Sequence, residues 1–556
     1  MDEKERTTVE RAVSEYLHLA IESFAKALSI HNPSTMTEDV SKHIFRMVSL
    51  WFANSTEFGV NELMQQYQDS ISTHHFVPLT YQIFARIDSA GEGDASDFQS
   101  TLRNLVVKMC TDHPYHCLIQ LITLANGSKV AASDAPGRTN AYLQYGGNSK
   151  VDASISILES LKRLKGSSAY VASLVESYIA ISNGYIDLAM FPTSKFHGDK
   201  KDKKKPPPKK IALSVAKTGG GRSDQKSLDQ ILSFGGKKNF KCAPCVLTKP
   251  PMLRPGRDYG HGKDDPIGSE RIETFDPNFS ITETGIHRPK IVKCIGSKGG
   301  VFKQLVKGED DIRQDAVMQQ VFSTVNNLLR SPPVSLTSNQ GGGGGGGGGQ
   351  QKSVARSLNL VTYNIIPLSP VSGVLEWVDD TMPFGDFLMD RSATIGAHSR
   401  YYPGEWSYKL CQIFFMEAPT HQRRKAFDEI CKRYSPAFRY FFVERFAHSL
   451  QAWHTARTTY TRSVAVNSIV GHVLGIGDRH CNNILVHQKT GEVVHIDFGI
   501  VFEQGKVSQP MSQMFVSSSN LLRLFFCTLG FFKPNQLISF LLLCSVSILP
   551  RLCHSV

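Results

Sequence analysis

The fold of this chain is decided by the stretch Gly477-Asp478-Arg479-His480-Cys481-Asn482-Asn483-Ile484, which is followed by His495-Ile496-Asp497-Phe498-Gly499. This stretch places Asp478 and Asn483 five residues apart and puts Asp497 directly before a Phe-Gly pair. Carboxylate and amide oxygens are hard ligands of the kind that Mg²⁺ takes in proteins. We therefore expect Asn483 and Asp497 to be the ligands of a divalent cation.

The spacing of these residues resembles the catalytic core of protein kinases, although Asp478-Arg479-His480 reverses the usual His-Arg-Asp order. Phosphoryl transfer requires a positioned hydroxyl group and metal ions on the phosphates. On this interpretation Asp478 orients or deprotonates the hydroxyl, and His480 stabilises developing charge or accepts a proton. The alternative is a loop with a capping Asn and no chemistry, and the joint spacing of the residues favours the first interpretation.

The sequence around the loop predicts a helix before it and a hairpin after it. Four apolar residues at helical spacing lead into the loop, namely Val466, Val470, Val473 and Leu474. Residues 484–487 and 493–496 have the composition of strands and are separated by a polar turn. Because Asn483 begins one strand and Asp497 ends the other, the hairpin is expected to bring the two metal ligands together.

Residues further upstream are suited to binding the phosphates of a nucleotide. Residues 290–296 and 302–307 are predicted strands, joined by a glycine-containing turn that includes Ser297 and Gly299. Backbone N–H groups of such a turn can approach phosphate. Most glycine-rich turns between strands are simple hairpins, and no Walker A sequence is present. We nevertheless assign Ser297 and Gly299 to the nucleotide-binding set.

Lys307 ends the second of these strands and is the candidate for the lysine that contacts the α- and β-phosphates. Asp310 or Asp315 is expected to position this lysine. Asp310 and Asp311 are also suited to capping the helix that follows, and capping is compatible with positioning the lysine. The apolar face of that helix is predicted to consist of Val317, Val321, Val325 and Leu328.

Residues 371–378 are predicted to form a strand that ends at the connection between two lobes. The backbone groups of Glu376 and Val378 are candidates for binding adenine. Trp377 can stack on the base or pack in the core, and the apolar periodicity favours packing in the core.

These motifs make the chain similar to the phosphatidylinositol 3-kinase-related protein kinases. The resemblance is carried by residues 305–315, 477–480 and 495–497, and it is strongest over residues 287–506. It implies an α+β fold: a bilobal phosphatidylinositol 3/4-kinase-like catalytic domain, with a truncated large lobe, preceded by an α-helical FAT-like region.

The resemblance also implies an activity, which is that of a serine/threonine protein kinase. Such an enzyme uses ATP with Mg²⁺ or Mn²⁺ and transfers the γ-phosphate to a Ser or Thr that is followed by Gln. By position, Asp478 and His480 would be catalytic, Asn483 and Asp497 would be metal ligands, and Lys307 would be the nucleotide lysine.

The implied partners are protein substrates with Ser/Thr-Gln sites, a DNA-break sensor complex and a second copy of the chain. The implied setting is the response to DNA double-strand breaks in the nucleus, without stable membrane association. One alternative is a phosphoinositide lipid kinase, but residues 498–513 offer only Lys506 to hold an anionic head group. The other alternative is a truncated, inactive fragment or pseudokinase.

The composition of the rest of the chain predicts its domain boundaries. Residues 1–190 are predicted to be helical, and 191–286 to be a linker with a Lys/Pro-rich insertion. The resemblance implies that residues 1–190 are FAT-like and that residues 287–506 are the kinase domain. A nine-glycine tract at 341–349 is expected to be a flexible insertion. The apolar faces of the first two helices are predicted to consist of Val9, Val13, Tyr16, Leu17 and Phe24, and of Ile44, Phe45, Val48, Trp51 and Phe52.

The 11 cysteines and the charged start of the chain indicate reduced, intracellular thiols. Cys242 and Cys245 form a lone C-x-x-C pair, and no second pair lies near enough in sequence to complete a zinc site. Residues 507–556 contain no Asp or Glu and depart from the family pattern. We expect this apolar tail to be aberrant. The activation segment and helical support are missing from it, so the chain as written is expected to be unstable or inactive.

Overall fold

A computed structural model describes residues 3–31, 40–88, 94–128, 147–192, 210–213, 242, 244–254, 259, 269–282, 288–330, 358–391 and 394–502. The glycine tract, the 507–556 tail and nearly all of the Lys/Pro-rich insertion lie outside these residues. The chain divides into two compact units. Unit 1 comprises Met1–Arg313 and Asn364–Trp377, and unit 2 comprises Gln314–Tyr363 and Val378–Val556. Helices and antiparallel sheets are both present, as the predicted α+β class requires.

Unit 1 begins with a helical region, as the periodicity of residues 1–190 predicts. Its α-helices in the described residues are α1 (Glu3–Ile30), α2 (Ser41–Ala53), α3 (Val60–Gln68), α4 (Thr80–Phe84), α5 (Asp94–Asp112), α6 (Pro114–Ala125), α7 (Gly147–Lys162) and α8 (Ala169–Met190). In α2, the predicted apolar face is confirmed, because Ile44, Val48 and Trp51 are buried. Trp51 Nε1 also donates a hydrogen bond to Asn61 Oδ1 of α3 at 2.9 Å.

The predicted apolar face of α1 is wrong over its first half. Val9, Val13 and Tyr16 are 51%, 62% and 73% exposed. The buried residues lie nearer the end of the helix, at Ile21, Ala25 and Leu28. Apolar spacing identifies which residues share a helix face, but the packing of α2 and α3 determines how much of that face is covered.

The sheet of unit 1 contains β1 (Ile211–Ala212), β2 (Ile272–Phe275), β3 (Asn278–Ile281), β4 (Lys290–Gly296), β5 (Val301–Gly308), β6 (Ile365–Ser369) and β7 (Ser372–Glu376). The strand order is β1-β3-β4-β5-β7-β6, and β2 also pairs with β4. All of these pairs are antiparallel. Strands β1 to β3 fall within residues 191–286. Strand β6 begins at Ile365, and residues 358–364 before it form no strand.

The two faces of β5 differ in burial because side chains alternate along a strand. Gln304, Val306 and Gly308 are buried, whereas Leu305 and Lys307 on the opposite face are partly exposed. Helix α8 packs against β5 and β7. The helices and the sheet of unit 1 therefore share one hydrophobic core.

Unit 2 contains most of α9 (Arg313–Arg330), followed by α10 (Phe384–Leu388), α11 (Ala397–Tyr401), α12 (Tyr408–Glu417), α13 (Arg423–Arg433), α14 (Arg439–Phe446) and α15 (Leu450–Val473). Its antiparallel sheet has the order β10-β9-β8, with β8 at Thr381–Pro383, β9 at Ile484–His487 and β10 at Val493–His495. The predicted helix and hairpin around the loop are thus confirmed.

The predicted apolar face of α9 is partly wrong. Val317 is 38% exposed, and Val325 is the one member of the predicted set that is buried. Apart from Ala316, the buried apolar residues of α9 are Met318, Phe322, Val325 and Leu329, which recur at positions i, i+4, i+7 and i+11. Met318 and Phe322 belong to the same core as Phe498. Bulky residues one step along the helix therefore decide the buried face.

Among the described residues, no helix combines the length and the apolar character that crossing a bilayer requires.

Candidate active site

Helix α15 leads into the loop that carries the first group of candidate residues. Asp478 has a backbone φ of +52°, in the left-handed region that non-glycine residues seldom adopt. The side-chain amide Nδ2 of Asn483 donates to the backbone oxygen of Asp478 at 3.1 Å and to its Oδ2 at 3.4 Å. Asn483 is buried while Asp478 is exposed. The loop therefore fixes Asn483 and presents the carboxylate of Asp478 to solvent.

His480 lies at the exposed side of the same loop. Its backbone N–H donates to the carbonyl of Asp478 at 3.0 Å. The backbone N–H of Asn482 donates to His480 Nδ1 at 3.2 Å. Because Nδ1 accepts a hydrogen bond, the neutral imidazole carries its proton on Nε2. The exposed ring can therefore donate a hydrogen bond through Nε2.

The hairpin brings Asn483 close to Asp497. Ile484 pairs with His495, and the N–H of Ile496 donates to the carbonyl of Asn483 at 3.1 Å. Asp497 follows directly, is exposed and has a φ of +61°. The nitrogen of the Asn483 amide is used in the loop, so its oxygen is the atom that this side chain offers to a cation.

The donor set fits Mg²⁺, which takes oxygen ligands and usually completes its shell with water and phosphate oxygens. Asp497 offers a carboxylate oxygen and Asn483 an amide oxygen. In the part of the chain that the structure describes, no group of three or more His, Cys, Asp or Glu side chains is arranged to hold a metal ion. A cation at this site would therefore depend on oxygens that the nucleotide and water provide.

Arg479 holds the loop and the hairpin together from within. Its side chain is buried, and Nε donates to the carbonyl of Gly477 at 2.7 Å. Nη1 donates to the carbonyl of Ile496 at 2.8 Å, and Nη2 donates to the carbonyl of Asp497. Burial lowers the pKa of the guanidinium, and the carboxylates of Asp497 and Asp478 oppose that shift. One guanidinium thus binds carbonyls on both sides of the site.

Helix α9 fixes the backbone directly after Asp497. The Oδ1 of Asp315 accepts a hydrogen bond from the N–H of Phe498 at 2.7 Å, and Gln314 Nε2 donates to the carbonyl of Phe498 at 2.7 Å. The rings of Phe322 and Phe498 pack edge to face with centroids 5.3 Å apart. The first residues of α9 therefore hold both polar groups of the Phe498 backbone.

In unit 1, Lys307 pairs with Asp310. Lys307 Nζ lies 3.3 Å from Asp310 Oδ2, and the lysine side chain is 13% exposed. Asp311 has a different contact, because its Oδ1 accepts the N–H of Arg313 at 3.1 Å at the start of α9. The sequence allows Asp310 both to position the lysine and to cap the helix. In the structure Asp310 contacts the lysine, and Asp311 caps the helix.

The glycine-rich turn between β4 and β5 is engaged by groups of the chain itself. The N–H of Ser297 donates to the carbonyl of Arg271 at 2.8 Å, and that of Gly299 donates to Gly296 at 2.9 Å. The N–H of Lys298 donates to the carboxylate Oε2 of Glu270 at 3.1 Å. The N–H groups expected to approach phosphate are thus occupied by carbonyls and by one carboxylate.

The residues expected to bind adenine are also held by neighbouring groups. The N–H of Glu376 donates to the carbonyl of Asn364 at 2.8 Å. The hydroxyl of Thr381 donates to the carbonyl of Val378 at 2.7 Å. Trp377 is 36% exposed, and the ammonium of Lys303 lies 6.0 Å from its ring centroid. The prediction that Trp377 packs in the core is therefore wrong.

Comparisons with known proteins agree with this arrangement of elements. Residues 302–514 match the family described as phosphatidylinositol 3- and 4-kinase. The chain carries a phosphatidylinositol 3- and 4-kinase domain. The serine/threonine-protein kinase ATM of Arabidopsis thaliana is 34% identical over 510 residues, which is 91% of this chain and 11% of that protein. The chain therefore spans a small part of the length of this relative.

Solved structures extend the similarity to the region before the kinase domain. A structure described as the FAT and kinase domain of CtTel1 matches with a TM-score of 0.71 and 29% identity, over 92% of this chain and 30% of that one. A structure described as a complete CtTel1 dimer with C2 symmetry also matches with a TM-score of 0.71 and 29% identity, over 92% of this chain and 16% of that one. The resemblance inferred from the motifs is confirmed.

Three residues that support the kinase domain were not identified from the sequence. The sequence pattern indicates no role for Arg479 beyond its place in the loop motif, and none for Gln314. Glu270 lies in the predicted linker. Gln314 and Glu270 act through contacts with residues distant in the sequence. Arg479 acts through backbone carbonyls of its own loop and of the end of the hairpin, so spacing alone does not reveal its role. The reversed Asp-Arg-His order was the one available signal for Arg479, since it places an arginine between two candidate catalytic residues.

Proposed function

We propose that the chain is the catalytic part of a serine/threonine protein kinase that transfers the γ-phosphate of ATP to Ser or Thr followed by Gln. The observation that carries the proposal is the arrangement of Asp478, Asn483 and Asp497 on one loop and hairpin. The names of its relatives support protein substrates, because the similar Arabidopsis protein is named a serine/threonine-protein kinase.

The nucleotide-binding residues have separate tasks in this proposal. Asn483 and Asp497 would hold Mg²⁺ or Mn²⁺ through oxygen atoms. ATP with this cation supplies the phosphoryl group when bound. Lys307, held by Asp310, offers a positive charge to the α- and β-phosphates. Because Lys307 is mostly buried, its ammonium is poorly screened by water and interacts strongly with an anion.

The catalytic residues act on the hydroxyl group of the substrate. Asp478 is exposed, and its carboxylate accepts the hydrogen bond or the proton of the attacking hydroxyl. His480 carries its proton on Nε2 and donates it as a hydrogen bond to the oxygens on which negative charge accumulates. Arg479 touches neither group and instead holds the backbone that carries both.

The proposal is tested with the full chain, ATP and Mg²⁺. Asp478, Asn483 and Asp497 are all present, so this proposal, in contrast to the inactivity expected from the 507–556 tail, predicts phosphate transfer to a Ser-Gln peptide. Little transfer is expected to the same peptide with Ala in place of Gln. The variant Asp497→Asn removes the charge of the metal ligand and should abolish transfer, with far-ultraviolet circular dichroism unchanged. The matched control Asp428→Asn alters an exposed carboxylate on α13 and should transfer at the parent rate. Transfer that survives in Asp497→Asn would refute the metal assignment.

A phosphoinositide lipid kinase is the second candidate, since the matched family is named for lipid kinases. Lys506 is the one basic residue in 498–513, which disfavours an anionic lipid head group. Transfer to phosphatidylinositol vesicles, with none to the Ser-Gln peptide, would favour this second function. Nucleotide binding without transfer to either substrate would identify an inactive fragment.

We further propose a role in the response to DNA double-strand breaks, in the nucleus, with a break-sensor complex and a second copy as partners. The support is the similarity to a protein named ATM and to a solved CtTel1 dimer. Light scattering should give twice the monomer mass. Fluorescence imaging should place the tagged chain in the nucleus. A monomeric mass or an exclusively cytoplasmic signal would contradict the corresponding part.

A further inference from the structure

The end of helix α8 makes two polar contacts with the sheet of unit 1. Tyr185 and Ala189 are four residues apart, so they lie on one face of the helix. The hydroxyl of Tyr185 donates to Oε1 of Gln304, and both side chains are fully buried. The carbonyl of Ala189 accepts a hydrogen bond from Lys290 Nζ at 2.5 Å. Lys290 is 3% exposed, so a buried ammonium group binds the last turn of α8.

Gly308 meets the same turn of α8 by direct backbone contact. A Cβ atom at Gly308 would lie 2.2 Å from the carbonyl oxygen of Ala189 and 2.7 Å from its carbonyl carbon. Both of these atoms belong to the backbone, which cannot rotate away as a flexible side chain can. The absence of a side chain at residue 308 is therefore what lets β5 approach α8 this closely.

The close approach fixes the strand that carries the nucleotide lysine. Gly308 directly follows Lys307, and Gln304 lies three residues before Lys307. Gln304 and Gly308 face α8, whereas Lys307 projects from the opposite face of β5. A shift of β5 away from α8 would therefore move Lys307, together with the nearby Asp310.

A chain of hydrogen bonds links Gln304, the partner of Tyr185, to Glu376, which is a predicted adenine-binding residue. Gln304 Nε2 donates to the hydroxyl of Thr248 at 3.0 Å. Asn364 Nδ2 donates to the carbonyl of Thr248 and to Oε2 of Glu376, in each case at 3.1 Å. Lys249 Nζ donates to Oε1 of Glu376 at 2.5 Å. Helix α8 thus supports both β5 and the end of β7.

We propose that α8 positions the nucleotide-binding residues of the kinase domain, and that Tyr185, Lys290 and Gly308 are its positioning residues. The inference rests on the proposed function in one respect, namely that Lys307 and Glu376 bind ATP. These three residues touch no substrate. They act by setting where β5 and β7 lie.

The test measures ATP affinity of the full chain by titration with a fluorescent ATP analogue in Mg²⁺, below the onset of thermal unfolding. Gly308→Ala should weaken binding about tenfold, because small displacements of binding groups are costly. Tyr185→Phe removes one buried hydrogen bond and should weaken binding about threefold. Lys290→Met should fall between these two. Gly404→Ala, at a glycine with open space around it, and Tyr16→Phe, at an exposed tyrosine, are the matched controls.

Kinetics separate positioning from a loss of stability. With the Ser-Gln peptide, positioning variants should raise the KM for ATP and leave kcat nearly unchanged, whereas unfolding lowers the active fraction and therefore kcat. If Gly308→Ala does not fold, Tyr185→Phe decides the question. Parent-like ATP affinity in a folded Tyr185→Phe variant would overturn this inference alone. If the parent chain binds no ATP, the proposed function fails, and this inference fails with it.

Discussion

The loop of unit 2 that carries Asp478 and Asn483 and the glycine-rich turn of unit 1 use their backbones in opposite ways. In the loop, buried Arg479 takes up backbone carbonyls, and the carboxylates of Asp478 and Asp497 remain exposed. In the turn, the backbone N–H groups are engaged, one of them by the carboxylate of Glu270. The carboxylates of Asp478 and Asp497 are therefore accessible to a ligand without any change in the loop. The turn must release contacts before its N–H groups can bind phosphate.

Removal of Arg479 should break the loop and give the largest effect. Arg479→Met leaves several buried carbonyls without a donor and should lower the free energy of unfolding by about 4 kcal/mol. We expect a lower melting temperature and no measurable phosphate transfer. Arg445→Met, at an exposed arginine of α14, is the control. A variant at Arg479 that melts and transfers like the parent would show that the guanidinium does not hold the site.

Asp315→Asn tests the support that α9 gives to the loop. The change keeps the size of the side chain but replaces a charge-assisted hydrogen bond to Phe498 by a neutral one, which should cost about 1.5 kcal/mol. We expect kcat to fall about tenfold, because the backbone beside Asp497 is less firmly held. Steady-state kinetics at saturating ATP measure this, with Asp428→Asn alongside. An unchanged kcat would show that the hydrogen bond from Phe498 to Asp315 does not support the metal site.

Acid should destabilise unit 1 through a buried histidine of the helical region. Burial lowers the pKa of His113 to about 3, while its unfolded value is near 6.5. Between these values the unfolded chain binds the proton and the folded chain does not, so stability falls as the pH decreases. From pH 7 to pH 5 this residue should remove about 2 kcal/mol.

The measurement is chemical denaturation at several pH values. His113→Gln should flatten the pH dependence of the unit 1 transition, while exposed His448→Gln in unit 2 should not. An equal pH dependence in the parent and in His113→Gln would show that His113 does not cause the acid sensitivity.

The smallest effect is expected at the glycine-rich turn. Glu270→Gln removes a negative charge from the N–H of Lys298 and should increase ATP affinity about twofold, because repulsion of the phosphates falls. The same substitution at exposed Glu273 should leave the affinity unchanged. Weaker binding in Glu270→Gln would mean that the carboxylate supports the turn instead of competing with phosphate.

The elements that depend on neighbouring residues alone are those that the sequence pattern predicts correctly. The hairpin of residues 484–487 and 493–495 and the helix before the loop follow from alternation and helical spacing, and the structure has both. Long-range packing decided the rest. Val13 is exposed because burial of the apolar face of α1 depends on which helices pack against it. The partner of Asp315, the N–H of Phe498, lies 183 residues further along the chain, so spacing gives no indication of it.

The left-handed backbone at Asp478 and Asp497 has a consequence for how such a protein changes over generations. Apart from glycine, Asn and Asp are the residues that adopt this conformation with least strain. A single-step exchange of either Asp for Asn would therefore erase the proposed phosphoryl transfer while sparing the architecture. Descendants of this chain can lose catalysis and persist as folded scaffolds. Such inactive descendants would be recognised by Asn at position 478 or 497.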